Sequence, residues 1–158
     1  MSPLPDIPKK MEKKIDKEVF TVFEVEGYDK ELVEISPDKL SLLSDSFDPN
    51  GYFKIINEDL LLGYFYFGKA PSKTDTFDFV VIFDQDLILR KIKVLAYRED
   101  QGGEISSKRW LRQFAGVSKT DQMEYGRDIK AISGATISAE SMTRAVNDLL
   151  KNLSILQE

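Results

Sequence analysis

The chain has 158 residues, 42% hydrophobic and 31% charged, with a net charge of −5 and a pI near 4.9. This is the profile of a soluble globular chain long enough to bury a core, and its acidic balance with scattered Lys and Arg argues against a nucleic-acid partner. Neither Cys nor His occurs, which excludes disulfides, thiolate and imidazole metal sites and the commonest general base, so redox chemistry here requires a bound cofactor.

The opening MSPLPDIPKKMEKK lacks the apolar core of a signal peptide. No apolar run approaches the ~20 residues of a membrane span. Two expectations follow: a cytoplasmic protein if the chain is complete as given, or an export segment removed from its front.

From Pro8 to Leu32, apolar Met11, Ile15, Val19, Val22 and Phe23 fall at helical spacing among lysines and acids, which predicts an amphipathic helix. SPDKLSLLSDSF predicts a second, short helix, with Ser36 as N-cap and Pro37 at the first helical position. From Tyr52 the character changes. YFKIINE, LLLGYFYFGKA, TFDFVVIFD and LILRKIKVLAY are rich in β-branched and aromatic residues and predict four strands of a mostly antiparallel sheet. A hairpin is expected around Asp84-Gln85-Asp86. Its second arm alternates apolar with charged from Leu89 to Val94, as a sheet with one wet face does. The aromatic run Tyr64, Phe65, Tyr66, Phe67 reads as core packing and cross-strand pairing rather than a stacking platform.

Beyond the sheet, Gly102-Gly103 marks a turn or a close backbone approach. Ser106 or Ser107 caps a short helix that carries Trp110, Leu111 and Phe114 and ends at Gly116. RDIKAI reads as a short extended run. The last segment is the clearest helix: Met142, Ala145, Val146, Leu149, Leu150 and Leu153 recur at three and four residues, with Arg144, Asp148 and Lys151 outward. Its first turn is placed at Ser138 to Ser141. The fold class expected is α+β, a mostly antiparallel twisted sheet with N-terminal and C-terminal helices packed on it. Residues 1–50 read as a helical segment packed on the same domain as a core at 51–158, one domain overall.

The junction DIKAISGATISAE carries Ser133, Gly134, Ala135, Thr136, Ile137 and Ser138 where a helix begins. Unpaired N–H groups and the positive end of the helix dipole favour a phosphate there, and Gly134 permits close approach. Plain helix capping by Ser and Thr is the competing account.

AISGATIS resembles the signature of FMN-binding domains of the kind found in the NqrC subunit of sodium-pumping quinone reductases and the RnfG subunit of the Rnf complex. VLAYREDQGGEISSKRWLRQFAG, Val94 to Gly116, resembles a second block of the same family, in the same order. The resemblance implies that FMN is esterified through its phosphate to Thr136 by a flavin transferase that uses FAD and magnesium and releases AMP. Ser133, Gly134 and Ala135, with Ile137 and Ser138 beyond the acceptor, form the recognition and binding loop on this reading. Glu99 and Gly102 match the family's acidic residue and glycine near the flavin, although a solvated turn acid is an equal reading of Glu99. Trp110, Gln113 and Phe114 match the second block; Trp110 either flanks the flavin ring or anchors its helix in the core.

The family pattern has Asp six residues before the acceptor, where this chain has Lys130. Either Asp128 substitutes from the same side of an extended strand, or Lys130 abolishes transferase recognition while its ammonium pairs with a free FMN phosphate. The resemblance makes 51–158 an FMN-binding core and implies an electron carrier working with redox partner proteins, as in a membrane electron-transport complex. It also implies an extracytoplasmic or periplasmic place, at the membrane through a segment absent from this chain. A reductase with non-covalent FMN, or a degenerate flavin-free binding module, are the alternatives.

Overall fold

The computed structural model describes residues 7–157; the first six residues of the opening segment lie outside them. Helix α1 (Lys9–Phe23) buries Ile15 and Val19, spaced four apart on one face. It ends at Glu24, whose left-handed backbone (φ 54°) directs its N–H back to the Phe20 carbonyl.

The helical reading of the segment as far as Leu32 is corrected here. Asp29–Leu32 forms a strand, β1, antiparallel to β2 (Tyr52–Asn57), and between them lies the short helix α2 (Pro37–Leu40) with Ser36 as its N-cap. The remaining strands are β3 (Leu60–Pro71), β4 (Thr76–Asp84) and β5 (Leu89–Ala96). The sheet is a five-stranded antiparallel meander in chain order, one strand more than expected. The β2–β3 turn is closed by Glu58 and Asp59, both at positive φ (51° and 65°), as tight hairpin turns require. The β4–β5 hairpin lies where the Asp84 region placed it, with the Asp84 carboxylate accepting from the N–H groups of Asp86 and Ile88 at 2.9 and 3.0 Å.

Both faces of the sheet are covered. On one, Ile15 and Val19 of α1 pack with Phe53, Phe65, Val80, Ile82 and Leu95. On the other, helix α4 (Thr136–Leu156) sets Met142, Val146, Leu149, Leu150 and Leu153 against Tyr66, Phe77, Phe79 and Val81. This double cover explains why β4 reads as a nearly unbroken apolar run: all its residues between the end positions are buried. Each large side chain so enclosed contributes about 1.5–3 kcal/mol relative to exposure. The aromatic run of β3 packs across the strands, Phe65 stacking on Phe53 at 5.0 Å and Tyr64 on Tyr52 at 5.6 Å.

The wet face expected from the alternation in β5 is also corrected. Lys91 and Lys93 lie under α1 and share the carboxylate of Glu18, at 3.0 and 3.7 Å. The alternation marks a face that α1 covers in part, where the single carboxylate of Glu18 pairs with both lysines and leaves each about a third exposed.

Three tyrosines carry the alkaline limit of this fold. Burial pushes the Tyr66 phenol up to about 12 and raises those of Tyr28 and Tyr52. The neutral phenol is the form the fold favours, while the unfolded chain ionises near pH 10. Their stabilisation is therefore intact below about pH 10 and is lost as pH climbs from there toward 12. In an alkaline titration, the tyrosinate absorbance of these three should rise together with loss of circular dichroism. Gradual ionisation near pH 10 with the fold intact would contradict it.

Candidate functional site

Two loops converge at the N-terminal end of α4. The first leaves β5 as Tyr97–Gly103. Its Tyr97 hydroxyl donates to the Gln101 carbonyl at 2.7 Å and lies 3.2 Å from Ser138 Oγ, so this side chain ties the loop to the start of α4. Gly102 adopts φ 85°, and a Cβ there would collide with the Tyr97 hydroxyl. That is the close backbone approach the Gly-Gly pair announced.

The second loop is the Ser-Gly-Ala-Thr junction. Gly134 adopts φ 84°, with the Glu104 carboxylate against it; a Cβ there would lie 3.1 Å from Glu104 Oε1. The two loops bound an open groove of about 770 Å³, lined by Gly102, Gly103, Glu104, Ser107 and Gly134 among others.

Helix α4 begins at Thr136, two residues before the placement from sequence, with Ala135 as N-cap. No side chain caps it. The capping account of the hydroxyl-rich junction therefore does not describe this helix start. The Ala139 N–H is bonded to the Ala135 carbonyl at 2.8 Å, whereas the N–H groups of Thr136, Ile137 and Ser138 have no partner among the described residues. Unpaired helix donors of this kind attract anions. Thr136 is exposed and its hydroxyl makes no hydrogen bond among the described residues. Ser133 and Ile137 are also exposed, while Ala135 and Ser138 are buried.

A smaller recess adjoins across Ser107, lined by Arg109, Trp110, Gln113, Lys130 and Ile132. It belongs to the second block. Ser107, the second of the two candidate caps, accepts from the Trp110 N–H at 3.3 Å to open α3 (Lys108–Leu111). Trp110 is 6% exposed, packs edge-on against Phe114 and donates its indole N–H to the Lys130 carbonyl at 2.7 Å. The Gln113 side chain accepts from the Lys130 N–H at 2.8 Å and donates to the Trp110 carbonyl at 3.0 Å. Lys130 is thus held by its backbone, its side chain exposed at the recess. Trp110 anchors the core and shows one edge to the site.

Two expectations for neighbouring acids change. RDIKAI is not one continuous extended run: its Arg127 and Asp128 belong to a turn over residues 126–128, flanked by a bridge between Tyr125 and Ile129. Asp128 accepts from the Glu124 N–H at 2.8 Å within that turn. That hydrogen bond, then Arg127, holds its carboxyl below the usual range, and Asp128 takes no place beside Lys130 on a strand. Glu99 is not in the groove lining. It accepts from the Thr74 N–H and hydroxyl at 3.1 and 3.0 Å. The Ser72 hydroxyl beside it and these Thr74 donors lower its carboxyl.

Tyr97 and Glu104 join the site without having been singled out, and Ser107, expected only as a helix cap, joins it as well. A tyrosine five residues before a Gly-Gly pair was the available signal for the first; nothing in the sequence marked Glu104 over its neighbours.

The family model described as FMN-binding domain matches residues 73–151. No curated protein matches the chain.

Proposed function

Because the chain belongs to the FMN-binding domain family, we propose that it is an electron-carrying flavoprotein domain whose FMN is joined through a phosphoester to Thr136. The observation that carries this reading is the start of α4, which no described side chain caps, with an exposed threonine hydroxyl at the first helical residue that makes no hydrogen bond among the described residues, beside an open groove. When bound, FMN supplies one- and two-electron redox chemistry that no side chain of this Cys- and His-free chain offers.

The protein's part is to hold and orient the group. The N–H groups of Thr136, Ile137 and Ser138 receive the phosphate oxygens, whose remaining negative charge suits the positive end of α4. Asp100 and Glu104 border the groove and would accept from the hydroxyls of a ribityl chain. In attachment, the Thr136 oxygen forms the new P–O bond as the diphosphate of FAD breaks, AMP leaves, and the hydroxyl proton passes to solvent. Magnesium and a separate flavin transferase serve that step. An extracytoplasmic place among redox partners belongs to the same proposal.

Intact mass of the chain co-produced with a flavin transferase is the direct test. A gain of one FMN less water, with yellow colour surviving acid precipitation, is expected. A colourless pellet from yellow protein would replace covalent with reversible binding, the arrangement of a reductase with exchangeable FMN.

Lys130 gives a graded test. Its backbone does the anchoring and its side chain projects into the recess, so Lys130→Asp leaves the local fold in place. The aspartate is expected to raise the flavinylated fraction at fixed transferase, read by mass. An unchanged fraction would make the side chain irrelevant to recognition.

A further inference from the structure

On the other side of the Gly103–Leu111 segment lies a third concavity. It is a cleft of about 160 Å³ between β5 and α3, rimmed by Arg90, Lys91, Lys93, Lys108 and Arg112. Ile92 and Leu111 form its apolar floor. Among the described residues, Glu18 alone of the acids is paired with this rim, bonding Lys91 and Lys93. Arg90, Lys108 and Arg112 have no ion pair among the described residues. Five cations against one carboxylate is a strong local excess in a chain of net charge −5.

Lysines and arginines on β5, the last strand of the sheet, discourage edge-on pairing with another strand. Lys108 and Arg112 lie off the sheet and have no such role. Their mutual repulsion persists unless an anion relieves it. The cleft also shares a wall with the groove: Ser106 and Lys108 line the cleft, while Ser107 between them lines the groove.

We propose that this cleft is the docking surface for a protruding acidic segment of a partner protein. That the partner is the one exchanging electrons with the flavin rests on the function proposed above. Concavity and an apolar floor suit a projecting peptide whose carboxylates meet the rim and whose apolar atoms meet Ile92 and Leu111. A flat anionic bilayer fits a concave rim poorly, and the protein's net charge repels it. Charge of this kind speeds and orients encounter more than it tightens the complex, which suits a carrier that must release its partner.

The test uses the full chain with a decaglutamate peptide followed by NMR. Amide shifts are expected at Arg90–Lys93 and Lys108–Arg112, weakening as salt screens the rim. The double substitution Lys108→Glu with Arg112→Glu should lower the affinity by about tenfold or more, with thermal melting unchanged. Arg90→Glu is the second variant, expected to weaken binding in the same direction should the double variant fold poorly.

Equal binding by the reversed variants would overturn the proposal. So would binding of phosphatidylserine vesicles in place of the peptide, or saturation of the cleft by inorganic phosphate with no response to the peptide. Intact mass separates this proposal from the flavin reading. A flavinylated chain that ignores the peptide overturns docking alone, whereas a flavin-free chain that binds it keeps the docking surface and removes the electron relay.

Discussion

Thr136→Val is expected to remove covalent flavin completely, returning the chain co-produced with a transferase to its bare polypeptide mass. Valine keeps the β-branched shape and lacks only the nucleophilic oxygen. Because that hydroxyl makes no hydrogen bond among the described residues and is exposed, its loss should change stability by no more than about 0.5 kcal/mol. A missing flavin then reports chemistry and not unfolding. The neighbouring hydroxyls sharpen the test. Ser138 is buried at 2% and lies against Tyr97, so it cannot replace Thr136 without movement of the helix. Ser133 is exposed and is the one alternative acceptor in the loop. Retained flavin mass in Thr136→Val that disappears on adding Ser133→Ala would move the attachment site and sink the assignment. The backbone donors of α4 survive the substitution, so the valine variant should still bind free FMN reversibly, read by quenching of flavin fluorescence.

The architecture was legible where periodicity spoke alone. The stripe from Met142 to Leu153 and the apolar run of β4 each admit one reading, and the structure places them back to face as an α+β sheet with helices on it. Legibility failed where composition was neutral. Asp29-Lys30-Glu31-Leu32 contains good helix formers, and only its pairing with β2 makes it a strand. The break before it rests on Glu24 in a left-handed conformation, and Gly27, three residues on, was the stop signal the sequence offered.

The wet face assigned to β5 failed for a different reason. Charged alternation describes a half-polar face, and the partner that covers it, Glu18, lies seventy-odd residues away in the chain (91 − 18 = 73). At the candidate site, Gly102, Gly134 and Thr136 could be singled out because glycine at a turn and hydroxyls at a helix mouth have local causes. The groove between them could not. It exists because Tyr97 bridges from the Gly102 loop to Ser138, a long-range contact with no periodic trace.

That bridge is the basis of the second large expected effect, for Gly102→Ala. The residue holds φ 85°, which costs an alanine roughly 1–2 kcal/mol in itself, and the added Cβ would overlap the Tyr97 hydroxyl. Relief requires the phenol to leave either the Gln101 carbonyl or Ser138, each such hydrogen bond contributing about 1 kcal/mol. The sum is about 2–3 kcal/mol of destabilisation, measurable as a lowered denaturant midpoint with unchanged slope. The same displacement moves the Gly102 wall of the groove relative to the start of α4, so FMN occupancy should fall with it.

Tyr97→Phe separates the two contributions, since it removes the clashing oxygen and its bonds but leaves the ring. Alone it should cost about 2 kcal/mol, one for each hydrogen bond lost. Combined with Gly102→Ala, it should cost less than the sum of the singles, because the collision is then gone and only the backbone strain remains. Strict additivity of the pair would mean that the hydroxyl and the Gly102 Cα do not meet, and the groove would lose the contact that joins its two walls.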